Sequence, residues 1–462
     1  MGQLPLHRSG RMSTSSTEST TSLAQGPIWQ AQPAGINLFP LALRFMMVAM
    51  AFLNNVDIAR VDRNATDGFT SQAMMKVGLI LVASVLGFWG WWKSPDVRKM
   101  MTSIPGMLFI CLGIWYFVTI PTSLDQKVSF SAAILFWGGL VFSVTCIRFV
   151  GGTSVMLDIC LGQFLFLFFS LLLYFVDRDL AMFTEVLSAS TQVERFGGLG
   201  HPNVVGRISV FLGLLLIAGA IQKSISWNWF ILCLPFLAVV CIASLSRTPV
   251  IAGFLAIGLV SLPLLRNPHV IYLAGVGILV LIVSFVSVEF LVGWDNLTAS
   301  FVQSGTKTGS MEEVTTMTGR TAIWEFTIEK ILERPLFGWG AGSTPILMAS
   351  VAGHAHNILL QPTVSMGIPA GTFFAMILLW NVYSAIKFDL PLLRMCTTFI
   401  LTLGIAETPL FNPLPESVSL MWFAISFWPV GQQFDLRHRT TYRHLNSEEL
   451  VSASPLPTVP LA

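Results

Sequence analysis

Uninterrupted apolar runs of bilayer length recur along this chain, and they constrain its fold more than any other feature. Windows at 73–92, 101–120, 128–147, 153–176, 269–292 and 366–386 are all strongly apolar, and each can cross a hydrocarbon core that needs about 20 helical residues. Backbone groups in lipid must be satisfied within their own segment or in a closed barrel, and these windows lack period-two alternation, so helices are expected. Composition agrees. Of 462 residues, 54% are hydrophobic and 11% charged, against about 25% charged in soluble domains.

Shorter and paired runs raise the expectation to an all-α polytopic membrane protein of about twelve transmembrane helices. They fall near 38–54, 73–92, 101–120, 128–147, 153–176, 207–222, 226–245, 249–265, 269–292, 364–387, 391–408 and 416–432. Basic residues in short connections set sidedness. Lys93, Arg98, Lys99, Arg148, Lys223, Arg266, Lys387, Arg394, Arg437, Arg439 and Arg443 all fall on one side of this arrangement. That side is read as the cytoplasm, with both termini inside and the connections at about 55–72, 177–206 and 293–363 outside.

Residues 1–35, with "STSSTESTTS" at 13–22, are too poor in apolar residues to fold and read as a flexible cytoplasmic tail. No small-residue cleavage site follows an early apolar core, so the segment does not read as a signal peptide. The membrane domain is expected over 36–435, and 436–462 as a second cytoplasmic tail. The six cysteines, Cys111, Cys146, Cys160, Cys233, Cys241 and Cys396, all lie in expected spans without a C-x-x-C, which implies neither a disulfide framework nor a zinc site. A net charge of +2, with no basic patch interleaved with aromatics, gives no sign of nucleic acid as a partner.

Polar residues at the ends of apolar runs are costly to keep there, so function is sought among them first. Arg247 in "SLSRTPVIA" divides the apolar stretch 226–265 into two halves that can only form a tight hairpin, because one helix of that length would overshoot the bilayer about twofold. It is either an anion site, its planar fork of donors suiting phosphate oxygens, or an arginine reaching the headgroups. "GGLGHPNVVGR" at 197–207 gathers His201, Asn203 and Arg207 where the chain re-enters the membrane, although alone it reads first as an ordinary helix-entry turn with a basic flank.

Farther on, "GRTAIWEFTIEKILERPLFGWGAGS" at 319–343 holds a helix expected between Thr318 and Pro335, with Trp324, Ile328, Ile331 and Leu332 on one stripe. Arg320 would sit in its first turn, where the helix dipole favours an acid, so a bound anion would account for it. The glycines of "GWGAGS" either expose amide hydrogens to phosphate or simply turn the chain. In "VAGHAHNILLQ", 351–361, His354 and His356 sit beside Asn357 with no acid or cysteine at metal-ligand spacing. His356 is a candidate general base held by the Asn357 amide, or a residue capping the following helix. Asp177 and Asp179 in "DRD" form a short cation-binding pattern that an interfacial charge cluster explains as well. The sequons at Asn64 and Asn296 matter only in a host that glycosylates them.

Taken in order, "GHPNVVGR", "SLSRTPVIAG", "GRTAIWEFTIEKILERPLFGWGAGS" and "AHNILLQPTVSMGIPAG" resemble the bacterial O-antigen ligase and polymerase superfamily over about 200–370. The resemblance implies a fold akin to other lipid-linked glycosyltransferases (GT-C-like), no cofactor and no obligatory metal. It implies transfer of a glycan from an undecaprenyl-pyrophosphate carrier to an acceptor glycan hydroxyl on the periplasmic side of the inner membrane. It makes His356 the catalytic candidate and Arg247 and Arg320 the pyrophosphate binders, with Arg207 beside them and Asn357, His354, Gln361 and Asn203 as supporting polar groups. Implied partners are the lipid-linked donor, the acceptor glycan, the lipid bilayer, and chain-length regulator and flippase proteins. A polymerase, a ligase onto a lipid core and a protein O-glycosylating enzyme share these motifs. From another class, a polysaccharide-lipid transporter would be expected to show inverted repeats and ionisable residues at mid-membrane. No internal repeat is visible, and Asp158 and Glu289 both lie within reach of an interface.

Overall fold

The computed structural model describes residues 38–57, 71–186, 192–221, 225–261, 320–388, 390–408, 410 and 416–452. Its helices are α1 (Leu38–Leu53), α2 (Ser71–Lys93), α3 (Pro95–Met101), α4 (Ile104–Val118), α5 (Gln126–Val150), α6 (Gly152–Val176), α7 (Arg178–Ala181) and, after a short hairpin, α8 (Pro202–Ile221). They continue as α9 (Trp227–Ala243), α10 (Arg247–Ser261), α11 (Arg320–Glu333), α12 (Thr344–Leu347), α13 (Leu360–Lys387), α14 (Pro391–Ala406) and α15 (Ser417–Ser452). Eleven of the apolar windows read from sequence fall on these helices; the window 269–292 and the sequons at Asn64 and Asn296 lie outside the described residues.

Four described helices, over 74–93, 126–150, 152–176 and 360–387, are long and apolar enough to cross a membrane by length and composition, and α3 with α4, bent by 74°, makes a fifth. The chain is a polytopic membrane protein. The break before α4 is set by sequence: Ser94 accepts the Val97 N–H at the start of α3, and Pro105 opens α4 where a missing N–H is harmless.

The bundle packs α2 on α5, α4 on α13, α8 on α9, α10 on α14, and α15 on α5 and α6. Small residues bring helices close where lipid offers no hydrophobic drive. A Cβ added to Gly87 of α2 would lie 2.6 Å from the Phe142 backbone nitrogen of α5. The core is aromatic at its centre. Trp422 of α15 is 1% exposed, with the rings of Phe374 at 4.7 Å and Phe109 at 4.9 Å.

Two features correct the sequence reading of this fold. The connection 177–206 was expected to fit an all-α fold, yet it carries an antiparallel hairpin of β1 (Met182–Val186) and β2 (Gln192–Phe196), paired from Met182↔Phe196 to Val186↔Gln192. Its "FTEV" and "QVERF" segments alternate too briefly to stand out from a polar loop. The last helix runs to Ser452, through residues read as part of a flexible tail; no proline or glycine interrupts 432–452.

Helix α13 is broken rather than continuous. Gly367 has φ 83°, ψ 174°, and Pro369 follows. Proline lacks an N–H, so carbonyls of the preceding turn lose their helical partners. The loop 335–343 supplies replacements: Trp339 N–H donates to the Val364 carbonyl at 3.1 Å and Gly340 N–H to that of Ser365 at 2.6 Å. Trp115 Nε1 donates to the Met366 carbonyl at 2.8 Å, and Ile368 N–H to that of Pro335 at 2.7 Å. Irregular backbone at membrane depth is thereby satisfied by protein.

Candidate active site

Several helix ends meet in one place: the starts of α8, α10, α11, α13 and α15, and the end of α14. The α9–α10 hairpin inferred at Arg247 is present, with the turn at Ser244–Ser246 and Leu245 in the left-handed region at φ 50°. Gly206 of α8 packs against the side chains of Ser244 and Ser246. Ile358 N–H donates to the Gly404 carbonyl at 2.8 Å and Asn357 Nδ2 to that of Ile405 at 3.2 Å, tying the segment before α13 to the end of α14. Lys93, Arg148 and Lys387 close the opposite ends of α2, α5 and α13.

Three arginines line this end of the bundle, each matched by a glutamate. Arg195 of β2, 2% exposed, reaches Glu185 at 2.7 Å, the Ser244 carbonyl at 2.9 Å and Asn203 Oδ1 at 2.8 Å. Arg207 of α8 pairs with Glu416 at the start of α15, and its Nε is buried with no acceptor among the described residues. Arg320 Nη2 lies 3.0 Å from Glu407 Oε1, and Nη1 donates to the Thr248 hydroxyl at 3.3 Å. Arg247 is the first residue of α10, adjacent to Thr248. Matching each buried guanidinium with a carboxylate offsets a desolvation cost that would otherwise be several kcal/mol per ion.

The two histidines sit on a short loop ahead of α13. Gln361, itself buried, accepts the Ala355 N–H at 2.8 Å and donates to the Thr344 hydroxyl at 2.7 Å. The loop is thus fixed between the histidines. His354 and His356 rings stand 3.8 Å apart, centroid to centroid. His354 Nδ1 accepts the His356 backbone N–H at 3.3 Å and lies 3.3 Å from the Thr408 hydroxyl. His356 has φ 49°, a conformation that strains a side-chain-bearing residue and recurs at functional sites. Its Nδ1 is buried with no partner among the described residues.

Electrostatics join these groups. Burial pushes His356 down to about 3, and the neighbouring His354, Arg320 and His201 add to the shift. His354 is also lowered, by burial first, with Glu416 opposing and Arg320 and Arg207 assisting. Burial raises the Glu407 carboxyl, while Arg320, Arg207 and Arg195 work against that shift and Glu416 adds to it. Both histidines are therefore neutral imidazoles at pH 7, able to accept a proton from a substrate hydroxyl held near guanidiniums that attract phosphate.

Several sequence candidates serve the scaffold. Asn357 does not hold His356 through its amide: Oδ1 accepts the N–H groups of Leu359 and Leu360, capping α13, and Nδ2 goes to α14. Asn203 accepts from Arg195, and His201 Nδ1 accepts the Asn203 N–H at 3.2 Å where α8 begins. The "GWG" amides of Trp339 and Gly340 are taken by the break in α13. Asp177 caps α7 by accepting the Leu180 N–H at 3.0 Å. The charge of Arg320 against its helix dipole is answered by Glu407. On α11 the buried face holds Thr327 and Ile331, while Ile328 and Leu332 of the expected stripe are exposed. Among the described residues no group of three or more His, Cys, Asp or Glu could hold a metal ion.

Sequence reasoning missed Arg195, Glu407 and Glu416. The glutamates lie at the end of one apolar run and the start of the next, "IAETP" and "LPESV", where the rule applied to Arg247 would have found them. Lys76 was missed too; it lies within electrostatic reach of Glu416 and Asp57.

The described residues thus form a polytopic apolar bundle with a buried cluster of arginines, glutamates and histidines at one end. Residues 230–375, from α9 into α13, match the family model for O-antigen ligase, and the chain is similar to that family over this stretch. The match contains Arg247, Arg320, His354 and His356; Arg207, Glu407 and Glu416 flank it in sequence. No curated protein matches the chain.

Proposed function

We propose that this protein is a membrane glycosyltransferase that takes glycan from an undecaprenyl-pyrophosphate donor and joins it to a sugar hydroxyl at the periplasmic face. The observation that carries this reading is the meeting of the His354–His356 loop with Arg320, and of His354 with Arg207, at the helix ends opposite Lys93, Arg148 and Lys387. By the positive-inside rule those basic ends face the cytoplasm and the site faces outward.

In the proposed step, the acceptor oxygen forms a bond to the anomeric carbon as the bond to the diphosphate oxygen breaks. The hydroxyl proton passes to His356, and undecaprenyl pyrophosphate leaves with the bonding electrons. Arg320 and Arg207, with Arg247 on the adjoining hairpin, stabilise the charge that develops on the diphosphate in a poorly hydrated site. That diphosphate also offsets the positive field holding His356 down, so the imidazole becomes a better base once the donor is bound. A single displacement inverts the anomeric carbon and forms no glycosyl-enzyme intermediate. The fold is proposed to be GT-C-like, with the polyprenyl chain held between helices and no metal required.

Within this class we favour a polymerase of an exopolysaccharide or O-antigen over a ligase, on the wording of "GRTAIW" and "RPLFGWG". Purified protein given a lipid-linked oligosaccharide should lengthen or transfer the glycan and release undecaprenyl pyrophosphate; relocation of the intact lipid would mark a transporter instead. Deleting the gene should leave single lipid-linked repeat units, whereas accumulated long chains would mark a ligase.

A further inference from the structure

The connection between α14 and α15 touches the site at three described points. Glu407 pairs with Arg320, Thr408 contacts His354 Nδ1, and Glu416 pairs with Arg207. The side chains of Glu407 and Glu416 are 10% and 17% exposed, and those of Arg320 and Arg207 are 16% and 8%. Each pair joins distant parts of the chain, separated by 87 and 209 positions. A guanidinium offers five donors. Glu407 and Thr248 engage two nitrogens of Arg320, and Arg207 keeps a buried Nε without an acceptor among the described residues. Both arginines are thus held in place by a carboxylate that occupies the kind of position a phosphate oxygen would take.

We propose that Glu407 and Glu416 are internal counter-ions that position Arg320 and Arg207 in the empty site and are exchanged for diphosphate oxygens when donor binds. The inference rests on the diphosphate-donor reading and deepens it. Carboxylate and diphosphate compete for the same donors, so the glutamates weaken the hold on the diphosphate product and let it leave. A buried arginine without its glutamate would instead retain that product, because only the ligand then satisfies its charge. Lys76, within electrostatic reach of both Glu416 and Asp57, and Arg195, paired with Glu185, add further charges to the surrounding field.

The test uses the full chain in lipid nanodiscs with inorganic pyrophosphate as probe. Glu407→Gln and Glu416→Gln should each bind it about tenfold more tightly than wild type, by the strength of charge-assisted hydrogen bonds. The double variant Arg320→Gln/Glu407→Gln should lose that gain. Glu194→Gln, which removes the partner of exposed Arg178, should leave affinity unchanged. If Glu407→Gln does not fold, Glu416→Gln carries the same expectation. Unchanged or weaker binding in the folded variants, or no pyrophosphate binding in any of them, overturns the exchange. Glycan transfer by wild type with no gain in the glutamate variants sinks the exchange alone; tighter pyrophosphate binding without transfer from a lipid-linked donor sinks the enzyme reading alone.

Discussion

Arg320 Nη2 lies 3.0 Å from Glu407 Oε1, and the same guanidinium donates to the Thr248 hydroxyl, so one side chain joins the start of α11 to the start of α10 and the end of α14. Lysine would place a point charge there and lose the fork. Arg320→Lys is expected to lower glycan transfer by about 10–100-fold while the protein stays folded. A transfer rate equal to wild type would remove Arg320 from the diphosphate site.

The lowered His356 sets a pH expectation. A base must be neutral to accept a proton, and burial keeps this imidazole neutral down to about 3 in the free protein. The acid limb of kcat/KM, which reports the free enzyme, should therefore lie below about pH 5 rather than at the ordinary histidine value near 6.5. A limb at 6.5 would mean that an unburied histidine controls the reaction.

Gln361 anchors the histidine loop through the Ala355 N–H and the Thr344 hydroxyl. Gln361→Leu leaves the buried Ala355 N–H without its acceptor and Thr344 with only the Ser365 hydroxyl, and should cost about 1–3 kcal/mol of stability. Transfer should fall with the loop no longer fixed. Unchanged thermal stability and unchanged transfer would show that the loop is held by other contacts.

Much of this organisation is written in the apolar runs. Eleven windows land on helices because lipid permits few alternatives, and the Arg247 hairpin follows from length alone. The β1–β2 hairpin was hidden because five-residue strands inside a polar loop give too short a period to read. The roles of Asn357 and the "GWG" amides were hidden for a different reason. Their partners, the Ile405 carbonyl and the carbonyls of Val364 and Ser365, depend on which helix ends meet in space. The pairing of Arg207 with Glu416 is likewise a tertiary fact between residues 209 positions apart.

Gly367 should not tolerate a side chain. At φ 83° an alanine is strained by about 1–3 kcal/mol, and its Cβ would press on the Leu336 carbonyl oxygen. Gly367→Ala is expected to lower the Tm and to loosen loop 335–343, read as faster amide exchange at Trp339 and Gly340. Wild-type stability with unchanged exchange would mean that the break in α13 does not depend on this glycine.

The most direct measurement replaces His356 with alanine and follows product in nanodiscs containing a lipid-linked oligosaccharide. The account predicts that lengthened or transferred glycan and released undecaprenyl pyrophosphate both vanish, while inorganic pyrophosphate still binds through Arg320 and Arg207. Glycan formed at the wild-type rate by the alanine variant would contradict it.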